Sequence, residues 1–378
     1  MGDASRLLGR TELTLGIPLN WHVVDRQGRL LVRQGTVIRS QQQLSSLMKY
    51  QPLFMEDRRV EFTHFVDVLN PFLKLESVAA NLQRIYDAQQ EANIKKRRAA
   101  TALLPRLASC LINLCEYDLD ALIGATHHFR GPNYAITHSL HCAILTYALG
   151  RQLHLDAQQM RSLIGAALSA NISMYELQNR LFEQKERLSP AQEKKVKQHP
   201  IQSAVMLKHH GIIDEAWLDI VLLHHENIDG SGYPRKRRGD EIDLLARIVA
   251  LADRYHAMVS SRRHRQGLLP AQALKRMVNQ DGKEVDQKLV LMFIKAIGMF
   301  PPGSPVKLAN GDVAIITRIN REDTSLPQYM AVWDKDGVAH PAPVVCDALQ
   351  DSGQQIKTVC AMPVKQLRSY RTLWGYPA

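Results

Sequence analysis

Residues 222–234 read LLHHENIDGSGYP: an apolar run stops at two adjacent histidines, His224 and His225, and gives way to a loop carrying Asp229, Gly230, Gly232, Tyr233 and Pro234. The run ahead of the pair reads as the end of a helix, and the glycines and proline after it as a chain that cannot continue one. Adjacent imidazoles at a helix end rarely serve packing. Neutral imidazole is the commonest protein metal ligand, and where a helix terminates two consecutive rings can be aimed at one point. Histidines hydrogen-bonded to side chains or water in a polar pocket would give the same pattern.

Outward from this stretch, apolar residues return every three or four positions in LESVAANLQRIYDAQ, LLPRLASCLINLCEYDLDALIG and HSLHCAILTYALGRQL. That spacing predicts helices, and residues 71–300 are expected to form an all-α domain. Ahead of it, LNWHVVD, the turn residues Arg26, Gln27 and Gly28, and RLLVRQGTVI alternate like half-buried strands, and Ser40 caps the short helix QQQLSSLMKY. Residues 1–70 are read as a small β-rich module. Breakers return between Phe300 and Pro305, followed by short β-type runs punctuated by Asn310-Gly311 and Asp336-Gly337, so residues 301–378 are read as a small β-rich domain. The expected fold class is mainly α, a helical bundle flanked by two small β-rich parts.

Composition narrows the function classes. With 45% hydrophobic and 22% charged residues in 378, the chain has the make-up of a soluble globular protein. No stretch approaches the roughly 18 consecutive apolar residues of a membrane helix, and the opening residues lack the order of a signal peptide, so the expectation is cytoplasmic with no membrane span. Five cysteines without a C-x-x-C pair argue against a disulfide scaffold, and no internal repeat supports a solenoid. A net charge of +11 favours an anionic partner. The excess is partly local, in KKRR at 95–98, RKRR at 235–238 and RRHR at 262–265. The first of these runs is explained equally well by a solvated helix face.

The string H-H-E-x-x-D-G-x-G-Y-P resembles the signature of the HD-GYP family, bacterial phosphodiesterases acting on cyclic di-GMP. The likeness extends over residues 134–298. NYAITHSLHCAILTYALG is similar to the family's first core helix with its metal-facing His138, KQHPIQSAVML to the segment that carries the ligand His199, and ARIVALADRYHAM to the helix that brings the last carboxylate, Asp253. The resemblance implies an all-helical bundle around a metal centre. Arg262 and Arg265 follow Asp253 at spacings that resemble those of the basic pair which family members place on substrate phosphates, and a guanidinium can hold phosphate oxygens bidentately. The run at 235–238 is read as solvated.

One departure is equally specific. Where the family carries its His-Asp pair this chain reads AALSANISM, so that Ser169 and Ala170 stand in place of the pair and Ser173 in place of a lysine. The resemblance implies that the missing aspartate bridges two metals, which lower the pKa of a bridging water to about 7 for attack on phosphorus. Without it, Asp253 is the sole matched carboxylate among neutral imidazoles, too little charge to offset two dications. One divalent ion, zinc, iron or manganese, could still sit on His199, His224 and His225, with His138 and Asp253 as remnants of the other position.

Three functions therefore stay open. The first, a non-hydrolysing cyclic di-GMP sensor with no intact catalytic group, leans away from an enzyme. The second is a cyclic di-GMP phosphodiesterase with a rearranged site, for which His141, His256, Asn171 and Glu176 are candidate replacement ligands whose spacing does not place them. The third is a scaffold that docks a diguanylate cyclase or another signalling protein through the loop of residues 229–234. Nucleic acid is disfavoured as a partner, and a homodimer is compatible with the sequence.

Overall fold

The computed structural model describes residues 70–279 apart from 264, residues 283–362 with gaps at 322, 324–325 and 347–351, residues 370–376, and ahead of residue 56 only short stretches, chiefly 5–7, 22–24, 30–32, 36–38, 40–49 and 53–55. The turn expected at Arg26, Gln27 and Gly28 lies outside the described residues, as does His264. The chain is mainly helical, as the apolar spacing predicts.

Helix α5 (Tyr134–Gln152) runs through the middle of the bundle, and residues 135–150 of it are all buried. A helix apolar on every side can only be satisfied by neighbours all round it. Those neighbours are α4 (Leu104–His128), α6 (Ala157–Ser169), α10 (Leu244–Val259) and α12 (Gln287–Ile297). Asn133 starts α5 by accepting from the Ile136 amide, and Asp156 caps α6 with a full capping box. Helices α8 (Pro190–His209) and α9 (Glu215–Leu223) pack on each other, and α9 also packs against α10.

The strand-like runs at both ends form antiparallel sheets. Near the N-terminus β1 (Ser5–Leu7), β2 (His22–Val24), β3 (Leu30–Val32) and β4 (Leu53–Met55) lie in the order β1-β4-β2-β3, with helix α1 (Gln41–Met48), which Ser40 caps as expected, between β3 and β4 in the chain. After the bundle β5 (Pro305–Leu308), β6 (Val313–Arg318), β7 (Gln328–Trp333), β8 (Ala339–Val345) and β9 (Ile356–Val359) lie in the order β8-β7-β6-β5-β9. Gly311 and Gly337, in the two turns read from the sequence, have φ of +98° and +77°, where a side chain would be strained.

A buried carboxylate fastens these parts together. Asp118 interrupts α4 with φ −151° and ψ 82° and lies 1% exposed. It accepts from the Ala121 amide (3.1 Å), from both terminal nitrogens of Arg318 on β6 (Nη2 at 2.9 Å), from the Tyr376 hydroxyl (2.7 Å) and from Gln43 Nε2 on α1 (3.1 Å). Nearby the Trp374 ring lies against Gly124 of α4, where a Cβ would stand 2.1 Å from the indole, and its Nε1 donates to the Thr317 carbonyl at 2.7 Å. The apolar core is accordingly continuous from the helices into the inner face of the second sheet.

Removing one member of a buried ion pair strands the other charge, at a cost of about 3–5 kcal/mol. Arg318→Ala is expected to lower unfolding stability by that amount in urea titrations, and a loss below about 1 kcal/mol would contradict the desolvated geometry.

Candidate metal centre

In α8 His199 is followed by Pro200. An ordinary residue at 200 would donate its amide to the carbonyl of residue 196, four positions back, but proline has no N–H to give. The freed Val196 carbonyl instead accepts from His199 Nδ1 at 2.6 Å. His224 finds an equivalent partner by a different route. Helix α9 ends at Leu223, its last carbonyls lack helical donors, and Val221 accepts from His224 Nδ1 at 2.7 Å.

A carbonyl only accepts, so each ring carries its proton on Nδ1 and presents a lone pair at Nε2. Those two Nε2 atoms face each other at 3.3 Å. Burial, together with His224, pushes His199 down to about 3, and burial lowers His224 as well, so neither ring supplies a second proton. Facing lone pairs repel unless a cation lies between them. Two nitrogens on a tetrahedral ion with bonds of about 2.0–2.1 Å stand about 3.3 Å apart. His225 completes the group, with one ligand atom of each histidine within 4.8 Å of the others. The donor set fits a metal ion, and His199, His224 and His225 would hold it.

The loop after the histidines supports His225. Tyr233 stacks on its ring (centroids 4.9 Å apart) and donates its amide to the His225 carbonyl at 3.1 Å. Gly232 permits this fold-back, because a Cβ there would lie 2.3 Å from the Asn227 nitrogen. Asp229 accepts from the Ser231 amide and hydroxyl, Gly230 has φ +79°, and the Tyr233–Pro234 bond is cis. Glu226 accepts from the Arg235 and Arg237 amides while residues 235–238 stay exposed.

Asp253 on α10 sits beside this group. Burial alone would raise its carboxyl, but the hydrogen bond from His138, with the imidazoles of His225 and His224 nearby, holds it well below the usual carboxylate range. Its Oδ1 lies 2.8 Å from His138 Nε2, and its Oδ2 4.0 Å from His225 Nδ1. On the other side of His138, Nδ1 meets His256 Nδ1 at 2.9 Å, and His256 Nε2 meets His141 Nδ1 at 3.0 Å. Of the candidate replacement ligands, His256 and His141 thus lie in a buried row behind Asp253, and Asn171 lines the same cavity as Asp253. Glu176 is exposed on α7 (Tyr175–Glu183). A histidine three residues after Asp253 on an apolar helix was a visible signal for His256. Its partner on another helix was not.

Ser169 and Ala170 are buried at the end of α6. The Ser169 hydroxyl donates to the Gly165 carbonyl (2.8 Å) and accepts from Trp217 Nε1 (2.9 Å), and the Trp217 ring occupies the space over Gly165. The Ser173 hydroxyl bonds Ser203 and the His199 carbonyl.

A cavity of about 550 Å³ opens beside the centre, lined among others by Tyr134, His138, His225, Tyr233, Asp253 and Arg262. Arg262 Nη2 is 3.5 Å from the Tyr134 hydroxyl, its guanidinium lies 5.8 Å from that ring's centre, and its Nε is buried without a partner among the described residues. The two basic residues therefore part company: Arg265 is exposed, donates to the Ala257 carbonyl and does not line this cavity.

Comparison with known proteins bears on the helical bundle. Residues 111–289 match the HD domain family. Cyclic di-GMP phosphodiesterase PA4108 of Pseudomonas aeruginosa is 31% identical over 52% of this chain and 47% of its own length. For cyclic di-GMP phosphodiesterase PdeB of Borreliella burgdorferi the identity is 28%, over 56% of each. The response regulator RpfG of Xanthomonas campestris, also a cyclic di-GMP phosphodiesterase, is 26% identical over 60% of each. The chain spans about half the length of the first two. Among solved structures, Bd1817, a HDG"Y"P protein from Bdellovibrio bacteriovorus, aligns with a TM-score of 0.45 and 16% identity over 76% of this chain and 97% of its own. Over residues 111–289 the helical bundle matches an HD domain, and the relatives matched are named as cyclic di-GMP phosphodiesterases. No helix among the described residues is long and apolar enough to cross a membrane.

Because Ser169 is locked between Gly165 and Trp217, Ser169→His is expected to overpack this corner and cost about 1–3 kcal/mol. Thermal melts of Ser169→His with and without Trp217→Ala check it: the second substitution should relieve part of the loss, and an unchanged melt for Ser169→His alone would refute the packing account.

Proposed function

We propose that this chain is a non-hydrolysing, cytosolic receptor for cyclic di-GMP that binds one metal ion through His199, His224 and His225. The observation that carries the reading is Arg262: a cation with an unpartnered buried Nε in a cavity shared with Asp253, His225 and Tyr233. A guanidinium held there suits a phosphate of a dianionic ligand. The names of these relatives make cyclic di-GMP the first ligand to test. Hydrolysis through two metals calls for a bridging carboxylate. At the positions expected to supply one stand a serine bonded to Trp217 and an alanine, and the candidate carboxylate Glu176 faces solvent.

Calorimetry with cyclic di-GMP, run alongside chromatographic detection of the linear dinucleotide and GMP in the presence of manganese or ferrous iron, tests this directly. Binding without turnover is expected, and turnover of roughly 1 per second or faster would overturn it. Arg262→Ala is expected to weaken binding by about one to two decades, the loss of a charge-assisted hydrogen bond, and Arg265→Ala by clearly less. No binding by the unmodified protein would shift the reading to the docking scaffold. Replacing His199 or His224 by Ala should release the metal from this group, as elemental analysis would report.

A further inference from the structure

Cys142 and His256 have no part in the centre described above, yet both stand against His138. Cys142 lies one helical turn after His138 on α5, and His256 reaches the same point from α10. All three side chains are buried, at 3–4% exposure, and one ligand atom of each lies within 4.8 Å of the other two. Cys142 Sγ is 4.0 Å from His138 Nδ1, and His138 Nδ1 is 2.9 Å from His256 Nδ1. A thiolate and two imidazole nitrogens on a tetrahedral zinc ion, with bonds of about 2.3 Å to sulfur and 2.0–2.1 Å to nitrogen, stand about 3.3–3.6 Å apart. The two separations to His138 Nδ1 bracket that spacing, and Cys142 Sγ also lies 3.6 Å from His138 Nε2, so a side-chain adjustment of Cys142 toward Nδ1 would bring the group onto one ion.

The outer partners suit a metal as well. Asp253 only accepts, so His138 carries its proton on Nε2 and turns a lone pair at Nδ1 toward His256. A carboxylate behind a histidine is the usual arrangement for a metal ligand. His256 can likewise donate from Nε2 to His141 Nδ1, 3.0 Å away, which frees its own Nδ1 to face His138. Cavities reach both sides of the cluster, one lined by His138 and the other by His256 and His141, which offers a path for an ion and for a fourth ligand from water.

We propose that His138, Cys142 and His256 form a second, mononuclear cation site of mixed sulfur and nitrogen ligation, selective for zinc over the harder manganese and magnesium. This is not a rebuilt dinuclear centre: the ion uses the nitrogen of His138 that points away from Asp253. Thiolate with imidazole is a soft to borderline set, which oxygen-preferring cations fill poorly. Zinc binding converts the buried thiol to thiolate with release of its proton to solvent, and the ion clamps α5 to α10. The proposal does not depend on nucleotide binding.

Metal-free protein titrated with cobalt(II), a spectroscopic stand-in for zinc, provides the test. The full chain is expected to develop a near-ultraviolet sulfur-to-cobalt charge-transfer band, which the all-nitrogen group at His199, His224 and His225 cannot give. The band should persist in His199→Ala and vanish in Cys142→Ser, with one fewer cobalt per chain. No band at saturating cobalt, or a band that survives Cys142→Ser, overturns the site and leaves only a shared proton between His138 and His256. Zinc X-ray absorption on the unsubstituted protein needs no variant: one sulfur at about 2.3 Å supports the proposal, and nitrogen and oxygen neighbours alone overturn it.

Discussion

Burying neutral imidazoles in a helical interior is possible only where each ring's N–H finds an acceptor, and helices have few acceptors to spare. This chain makes two. Pro200 withholds the amide that would have occupied the Val196 carbonyl, and the end of α9 leaves the Val221 carbonyl free. Each takes the Nδ1 proton of one histidine, and the tautomers follow. With the protons tied to the backbone, His199 and His224 have only lone pairs left to turn toward each other, and a cation is the natural occupant between them. The backbone of α8 and α9 is thus as much a part of the centre as the rings.

Charge sets the second limit. Asp253 is the carboxylate set among these imidazoles, and its Oδ1 is engaged by His138. Such a site can neutralise one dication far better than two at close range. In the proposed receptor a phosphate would be met by protein cations, and of Arg262 and Arg265 it is Arg262 that lines the cavity, together with Lys185 and Arg187. The loop that carries Tyr233 reinforces the arrangement by stacking on His225 and returning its amide to the His225 carbonyl.

Asp118 plays the corresponding part for the architecture. It breaks α4 in the middle and draws Arg318, Tyr376 and Gln43 to one point, so that the second sheet and α1 meet the bundle at a buried charge, with Asp120 two residues on pairing with Arg321. Trp374 seals the junction over Gly124. The core therefore does not close where the helices stop. The breakers between Phe300 and Pro305 mark a change of secondary structure within a continuous apolar interior.

Much of this was legible in the linear chain because it depends on neighbours in sequence. Apolar residues three and four apart form the helices, Asn310-Gly311 marks the turn between β5 and β6 and Asp336-Gly337 that between β7 and β8, and the run from His224 to Pro234 announced a helix end with paired histidines and a glycine-dependent loop. His199 and Asp253 were found by family likeness, and both lie at the centre. The division between Arg262 and Arg265 was not legible: three residues apart, they differ in whether the backbone turns them toward the cavity or toward the Ala257 carbonyl. Nor could spacing show that Ser169 is held by Trp217, that Glu176 faces solvent, or that Cys142 and His256 meet at His138 from two helices over a hundred residues apart. A helix specifies which of its residues share a face, but which helix it meets, and in what register, is decided by packing of the whole bundle.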